Sequence, residues 1–461
     1  MSKVSVILPS LNVAGYIRET MESVLAQTLP DMEIICVDAG STDGTLEIIE
    51  EMASNDDRII IIKSDKKSYG YQMNIGIAAA SGEYIGIVET DDYIEADMYQ
   101  CLYEEAKKYD ADIVKSDFDL FTTLPNGERL FADYSLKRFN SVDYNVVYSG
   151  DDYVKGRIKP ECYIWNAIYR KNFLEKNDVR FNETPGASFQ DFGFRYQTCF
   201  FAEAVIAIQR VFYHYRRDNS AASTYNPKTV EYNLRESRFV LEIIERKGIY
   251  DRSVYKALAK EIVEFAFWPY LELLKWTEPD EGTTEAFDGY RVLLDSFVKN
   301  EYISEDELLP SLWLDTNLLL EGTEVFIGYA TVMARLNRNR IRKFIDEISN
   351  AAGVYIFGTG VRGKAAYIFL KNNGVNNIKA FCDNNRKKQG SKLYGAAIIS
   401  PEDAAYDGAD SLFLISSPSV ESEMRKQLNE LGISDRFVLT YNFATDPLFC
   451  TNCLTKTCSG N

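Results

Sequence analysis

Long apolar runs are missing from this chain. No segment approaches the roughly 18 uninterrupted apolar residues that a membrane-spanning helix needs, and the N-terminus runs straight into a strand rather than a signal peptide. Cytoplasmic residence is the expectation. Positive charge is also scarce, with 51 Lys and Arg against 69 Asp and Glu and a formal net charge of −18. That balance argues against nucleic acid, or an anionic membrane, as the partner of a dominant basic surface. Cysteine is sparse at 8 residues, several of them inside strand or helix patterns, so the thiols read as reduced and not as a disulfide scaffold. Cys450, Cys453 and Cys458 in the polar tail lack a fourth ligand nearby, which makes a metal site there a weak reading. Histidine is reduced to one residue, His214.

What is present is ample apolar content, 46% of 461 residues, enough for about three packed domains. The most informative stretch is Tyr84-Ile85-Gly86-Ile87-Val88-Glu89-Thr90-Asp91-Asp92, a buried strand that ends in three carboxylates within four residues. Crowded carboxylates repel unless a hard cation sits among them, and such a cation commonly completes its shell with substrate phosphates. The local reading is a metal-diphosphate site, with an acidic turn capping the helix that starts near Glu95 as the plainer alternative.

The flanking pattern places this run in an α/β sheet. Strand-like Lys3 to Pro9 is followed by a helical pattern over Tyr16 to Gln27. Glu33 to Asp38 is followed by the turn Ala39 to Gly44 and the helix carrying Leu46, Ile49 and Ala53. Strands at Arg58 to Ile62, Glu83 to Val88 and Asp112 to Val114 and a helix at Gln72 to Ala80 complete a mostly parallel, doubly wound sheet. Its strands end in Pro9, Asp38 and Glu89 on one edge, where open sheets of this kind bind ligands.

Taken in order, Val6-Ile7-Leu8-Pro9-Ser10-Leu11-Asn12, Ser23 to Thr28, Val37-Asp38-Ala39-Gly40-Ser41-Thr42-Asp43-Gly44-Thr45, Asn74-Ile75-Gly76 through Tyr84, and Asp91-Asp92 resemble the family 2 glycosyltransferases over about the first 120 residues. The resemblance implies a GT-A fold, a nucleotide-diphospho-sugar donor such as a UDP-sugar, Mg²⁺ or Mn²⁺, and inversion at the anomeric carbon. By that likeness Pro9 and Asn12 line the base and ribose pocket, Asp38 holds the nucleoside, Asp91 approaches the ribose or sugar, and Asp92 ligates the metal. Asn74 joins the donor set. Glu89 replaces the first Asp of the acidic motif and reaches a metal only through water. Ala39 stands where relatives carry a second Asp facing the pyrimidine, and Met73 where many carry a phosphate-binding Arg, so the nucleotide is left open. Lys66, Lys67, Tyr69 or Tyr71 could compensate from the adjoining loop.

Inverting transfer needs a base to take the acceptor proton. Phe189-Gln190-Asp191-Phe192 resembles the family's Glu-Asp pair and makes Asp191 that base, with Gln190 removing a like charge beside it. Trp165-Asn166-Ala167-Ile168-Tyr169-Arg170 matches the acceptor-side stretch, which puts Trp165 and Gln190 at the acceptor. Val211 to Ser220 resembles the segment that closes over the diphosphate. It supplies His214 as an additional metal ligand and Arg216 and Arg217 as partners of the leaving diphosphate. The acceptor is a glycan or polyol-phosphate hydroxyl, and the family likeness points to a bacterial capsule or teichoic-acid-type polymer made at the inner face of the membrane. Peripheral membrane association and a homo-oligomer are compatible with it, and nucleic acid is not expected.

These calls divide the chain into a GT-A domain at 1–226, a helical linker domain at 227–350, a Rossmann-like domain at 351–445 and a polar tail at 446–461. In the linker an ordinary helical core is preferred to an acceptor-lining or oligomer surface of Trp268, Tyr270 and Trp276. In the third segment Gly358, Gly360 and Gly363 follow a strand and open a helix, and Asp383 ends the next strand about twenty residues on, the context of a dinucleotide fingerprint. Such glycines also pack a helix on a strand without any ligand. Two alternatives stand beside the transferase reading: a nucleotide-sugar-sensing or scaffolding protein with a degenerate site, given Ala39, Met73 and Gln190, and a bifunctional enzyme with an NAD-dependent sugar-modifying C-terminal domain.

Overall fold

Short apolar strands alternating with amphipathic helices build a ten-stranded sheet in the computed structural model, which describes residues 2–123, 127–159, 163–187, 189–219, 226, 228–274, 282–407, 410–416 and 420–441. Trp276, the tail 446–461 and its three cysteines lie outside the described residues. The strands are β1 (Val4–Ser10), β2 (Met32–Asp38), β3 (Ile59–Lys63), β4 (Tyr84–Ile87), β5 (Tyr93–Ile94), β6 (Ile113–Thr123), β7 (Arg129–Tyr134), β8 (Val147–Tyr148), β9 (Ala167–Arg170) and β10 (Val205–Arg216). They lie in the order β3-β2-β1-β4-β9-β6-β10-β5, with β7 on β6 and β8 on β10.

The first four run parallel. Their residues are buried on both faces along β1 and nearly so along β2, as expected where helices cover both sides. Register puts Pro9 opposite Val37 and Ser10 opposite Asp38, so the loops after β1, β2 and β4 open on one edge. The parallel order stops there. β9 enters antiparallel between β4 and β6, so the strand containing Asp112 to Val114 is one position further out than a doubly wound order would place it. The sheet is therefore mixed rather than mostly parallel, because the acceptor-side segment returns as a strand between β4 and β6.

By their contacts the described residues form two compact units. One holds Met1–Asp119, Asp133–Leu271 and Pro279–Gly328; the other holds Leu120–Ala132, Glu272–Glu278 and Tyr329–Asn461. The helices expected at 227–350 are present as Thr229–Arg246, Arg252–Leu273, Gly282–Lys299, Pro310–Glu321 and Thr323–Ser349, but they do not stand apart as a third unit. Thr229–Arg246 buries Val230, Leu234, Val240, Ile243 and Ile244 and packs on the helix Gln190–Phe201, which makes it part of the first core. No helix among the described residues is long and apolar enough to cross a membrane.

The second unit contains β11 (Val354–Phe357), β12 (Ile378–Cys382), β13 (Lys392–Leu393), β14 (Ala396–Ile399), β15 (Leu412–Ile415) and β16 (Val438–Thr440) in the order β13-β14-β12-β11-β15-β16. Apart from antiparallel β13 the strands are parallel, and the order reverses beside β11. Apolar clusters cover both faces, one around Ile356, Phe381 and Leu414 and the other around Tyr355, Phe357 and Phe413. The turn after β11 is tight. Gly358 has φ +106°, and a Cβ on Gly363 would sit 2.0 Å from the Gly358 carbonyl oxygen, so the helix Val361–Asn372 approaches the strand only because Gly363 has no side chain. Gly363→Ala is expected to lower stability by about 1–3 kcal/mol in thermal or urea unfolding, whereas Gly360→Ala, where a Cβ meets open space, costs a few tenths or less.

Candidate active site

Two loops meet at the edge above β1 and β2. Asp38 ends β2 with its carboxylate turned back into its own turn, where Oδ1 accepts from the N–H groups of Gly40 and Ser41 at 2.9 Å each and Oδ2 accepts from the Ser41 hydroxyl at 2.5 Å. Asn12, at φ 55°, receives the Thr42 N–H on its side-chain oxygen and donates its own N–H to Ser41 Oγ, both at 2.9 Å. Pro9 is buried, and its carbonyl accepts the Thr90 hydroxyl at 3.0 Å. Pro9, Asn12 and Asp38 are thus brought together as expected, but the Asp38 oxygens shape the loop instead of pointing outward. Gln72 is a residue the sequence reading missed. Its amide donates to the Ser10 and Val37 carbonyls at 3.0 and 2.6 Å and clamps the two strand ends.

The acidic run after β4 separates three carboxylates into three roles. Asp92 has no exposed surface; its Oδ1 accepts the Arg216 backbone N–H at 2.7 Å and its Oδ2 the Tyr213 hydroxyl at 2.8 Å. Burial and the charge of Asp91 push Asp92 well above the usual carboxylate range. Each Asp92 oxygen thus accepts one hydrogen bond from β10. Asp91 is different. It is partly exposed, its Oδ2 accepts from the Asn219 amide at 2.7 Å, and its pKa is raised mainly by burial. Glu89 accepts the Tyr69 hydroxyl at 2.6 Å, and burial, with the charges of Asp91 and Asp191, lifts it to about 8.

His214 sits between two carboxylates. Nδ1 lies 2.7 Å from Asp119 and Nε2 3.0 Å from Glu95, and the ring stacks on Tyr93 at 4.4 Å. Burial alone would lower its pKa, yet the hydrogen bonds and charges of Asp119 and Glu95 raise it. Strand alternation on β10 explains the outcome: Tyr213 and Tyr215 face the Trp165 side and His214 faces the other. Arg216 is a buried strut. Its Nε donates to the Asp91 carbonyl at 2.6 Å, Nη2 to Glu19 at 2.7 Å, and its guanidinium sits 4.9 Å from the Tyr16 ring. Arg217 is buried as well, donating to the Tyr215 hydroxyl at 3.0 Å. Trp165 stacks on Tyr213 at 3.9 Å and is 4% exposed.

The helix Gln190–Phe201 delivers Asp191 to the same neighbourhood, since the Asp191 charge acts on both Glu89 and Tyr69. Burial raises Asp191 to about 6, against the opposing effect of Arg195. Gln190 is buried and donates to Thr184 and to the Gly186 carbonyl, which pins the loop before the helix. Asn74 exchanges hydrogen bonds of 2.9 Å with the backbone of Phe181, fastening the same segment. Met73 is fully buried, and Lys66 is paired with Glu183 and stacked on Tyr71. Glu236 is a second missed residue. It has no exposed surface, its Oε1 accepts the Asn182 amide at 2.9 Å, and its Oε2 lies against Gly193, two residues from Asp191 in the same helix. Burial and the Asp191 charge raise it to about 9. Nothing local in the sequence marks it, because it arrives from a helix forty residues downstream.

A divalent cation fits one part of this arrangement. Asp91 and Glu89 are neighbouring oxygen donors whose burial disfavours two bare charges. Among the described residues no group of three or more His, Cys, Asp or Glu side chains is arranged to hold a metal by itself. That donor set suits a hard ion that keeps water and draws its other ligands from a substrate. In the second unit the fingerprint residues meet packing demands. Asp383 accepts from the Thr359 N–H at 3.2 Å and from the Thr359 hydroxyl, and Lys388 stands 3.5 Å away.

A parallel half-sheet whose strand ends carry this acidic run defines a GT-A-like glycosyltransferase fold, and the solved structure of S. aureus TarS residues 1–349 in complex with UDP-GlcNAc shares it, with a TM-score of 0.53 over 74% of this chain and 92% of that one at 17% identity. Residues 5–178 match the family model described as glycosyl transferase family 2. The family likeness thus lies in the N-terminal part of the chain. Residues 350–439 match a model described as C2185-like, N-terminal. The chain is 35% identical over 185 residues to EpsJ of Bacillus subtilis (strain 168), an uncharacterised glycosyltransferase, covering 39% of this chain and 51% of the relative. It is 29% identical over 231 residues to the glycosyltransferase GlyA of Streptococcus pneumoniae, covering 49% of this chain and 32% of that one. The matched region thus spans about half and a third of these relatives.

Asp92→Ala leaves the Tyr213 hydroxyl and the Arg216 N–H buried without an acceptor, at about 1–3 kcal/mol each, and is expected to destabilise the protein by roughly 3–5 kcal/mol in urea unfolding. Asp92→Asn, which keeps one acceptor, costs less. For Glu236 the folded-state pKa lies above the unfolded one, so the folded protein holds the extra proton. Stability is then greatest near about pH 5 and is lost as pH rises toward about 9. Glu236→Gln is expected to flatten that slope in thermal unfolding across the same range.

Proposed function

We propose that the N-terminal unit transfers a sugar from a nucleotide-diphospho-sugar to an acceptor hydroxyl with inversion, Asp191 acting as the general base. The observation that carries this reading is the convergence of Asp191 with the acidic run: a carboxylate raised to about 6 by burial, placed by a separate helix within electrostatic reach of Glu89. Such a group is ionised at neutral pH yet basic enough to take the proton of an attacking hydroxyl. The sugar carbon gains a bond to the acceptor oxygen and loses its bond to the diphosphate oxygen, and the acceptor proton passes to Asp191.

Asp91, assisted by Glu89, would hold Mg²⁺ or Mn²⁺, which when bound supplies positive charge to the departing nucleoside diphosphate. Asp38, Asn12 and Pro9 form the walls of the nucleoside pocket through the loops they hold in place. TarS, which shares the fold, has been crystallised with UDP and UDP-GlcNAc, and this supports a UDP-sugar as donor. Ala39 withholds a carboxylate from the base, so backbone groups of the Asp38 loop carry nucleotide recognition. The acceptor class in this reading is a glycan or polyol-phosphate of a bacterial surface polymer. The C-terminal unit is auxiliary to transfer in this reading, the engaged Asp383 weighing against nicotinamide chemistry.

Asp191→Asn is expected to lower kcat by about 10²–10⁴-fold while donor binding, read by calorimetry with Mn²⁺ and UDP-sugars, stays intact. Wild-type kcat/KM should fall as pH drops below about 6, where Asp191 takes up its proton. Undiminished turnover by Asp191→Asn would remove the base from this scheme. Asp91→Asn is expected to weaken metal-dependent donor binding at least tenfold, and equal weakening without metal would place Asp91 on the sugar instead.

A further inference from the structure

The helix Thr323–Ser349 carries a charge pattern opposite to the rest of the chain. Between Glu324 and Asp346 there is no acidic residue, while Arg335, Arg338, Arg340, Arg342 and Lys343 fall within nine positions of a protein whose net charge is −18. The inner face of the helix is settled, since Ile341, Phe344, Ile345 and Ile348 lie in the core of the second unit and Arg338 donates to the Leu274 carbonyl at 2.8 Å. The outer face is not polar. Val332, Met333 and Leu336 are 56%, 47% and 58% exposed, and Arg335, Arg340, Arg342 and Lys343 are exposed beside them. Val332, Leu336, Arg340 and Lys343 follow at intervals of four, four and three residues, which is one stripe of a helix.

We propose that this outer face of the helix, Val332 to Lys343, is a docking surface for an anionic lipid bilayer, with Val332, Met333 and Leu336 entering the headgroup boundary and Arg335, Arg340, Arg342 and Lys343 meeting lipid phosphates. Charge complementarity selects this occupant. Four outward cations on an amphipathic helix are the pattern that binds acidic headgroups, each contributing about 1 kcal/mol near the surface. The negative charge elsewhere in the protein is screened beyond roughly 8–10 Å at physiological salt, so the local field governs the encounter. A second copy docking through the same face would set these four cations against four more, a like-charge contact that an anionic bilayer avoids. The surface is independent of the transfer chemistry proposed above.

The test is flotation of the full chain with vesicles of phosphatidylcholine alone and of phosphatidylcholine with phosphatidylglycerol, alongside sedimentation velocity to follow self-association. Binding is expected with phosphatidylglycerol only, weakening as salt is raised. Arg335→Glu, Arg342→Glu and Lys343→Glu together should reduce the partition coefficient by at least about fivefold per residue changed. Val332→Ser with Leu336→Ser should reduce it without changing its salt dependence. Equal binding to both vesicle types, no binding to either, or a charge-reversed variant that changes the sedimentation coefficient rather than the partition would overturn the proposal, the last result assigning the face to a second copy. Because the substituted side chains are exposed, unchanged thermal unfolding of both variants serves as the control for folding.

Discussion

The Asp92 carboxylate ties the site together. It is buried completely and accepts one hydrogen bond from the Arg216 backbone and one from the Tyr213 hydroxyl, both on β10, while its carbonyl takes the Thr20 hydroxyl from the helix Ile17–Leu25. Three stretches far apart in sequence are thereby joined at one residue. A buried carboxylate is tolerated only when its lone pairs are met, so the latch forms as a whole or carries a large penalty. Its consequence is to orient the neighbours: with Asp92 turned inward, Asp91 takes the rim, where Asn219 meets it.

A second layer of the same logic operates on the acceptor side. Trp165 stacks on Tyr213, Gln190 and Asn74 fasten the segment before the helix Gln190–Phe201, and Glu236 supports that helix from behind. Gln190 and Asn74 hold backbone, while Trp165 and Glu236 hold the side chains of Tyr213 and Asn182. The reactive carboxylate stands on top of this scaffold. Rigid support of that kind limits the freedom of Asp191 and keeps the acceptor base at a set approach to the acidic run.

Net charge and local charge give different answers in this protein. The overall balance of −18 points away from acidic surfaces. Helix geometry concentrates the exception, because cations separated by three and four residues share a face once the helix forms, and burial of the opposite face fixes which way they look. An average over 461 residues hides an island of nine.

Periodicity and chain order were enough to read the α/β character, the strands ending in Pro9, Asp38 and Glu89, the family likeness and the helical stretch after residue 227, since these follow from local spacing of apolar residues and turn formers. The tight glycine turn after Val354 to Phe357 was also readable, though not whether it serves packing or a ligand. The direction and position of the strand Ala167–Arg170 were not, because pairing partners across a sheet compete over long sequence separations. Nor could spacing tell Asp91 from Asp92, or assign His214, Arg216, Gln190 and Asn74 to support roles; adjacent carboxylates look alike in one dimension. Tertiary structure decided those roles by bringing Tyr213 and the Arg216 N–H to Asp92, Asp119 and Glu95 to His214, and Glu236 to the Asp191 helix, since burial and hydrogen-bond satisfaction are properties of the assembled neighbourhood and not of any residue alone.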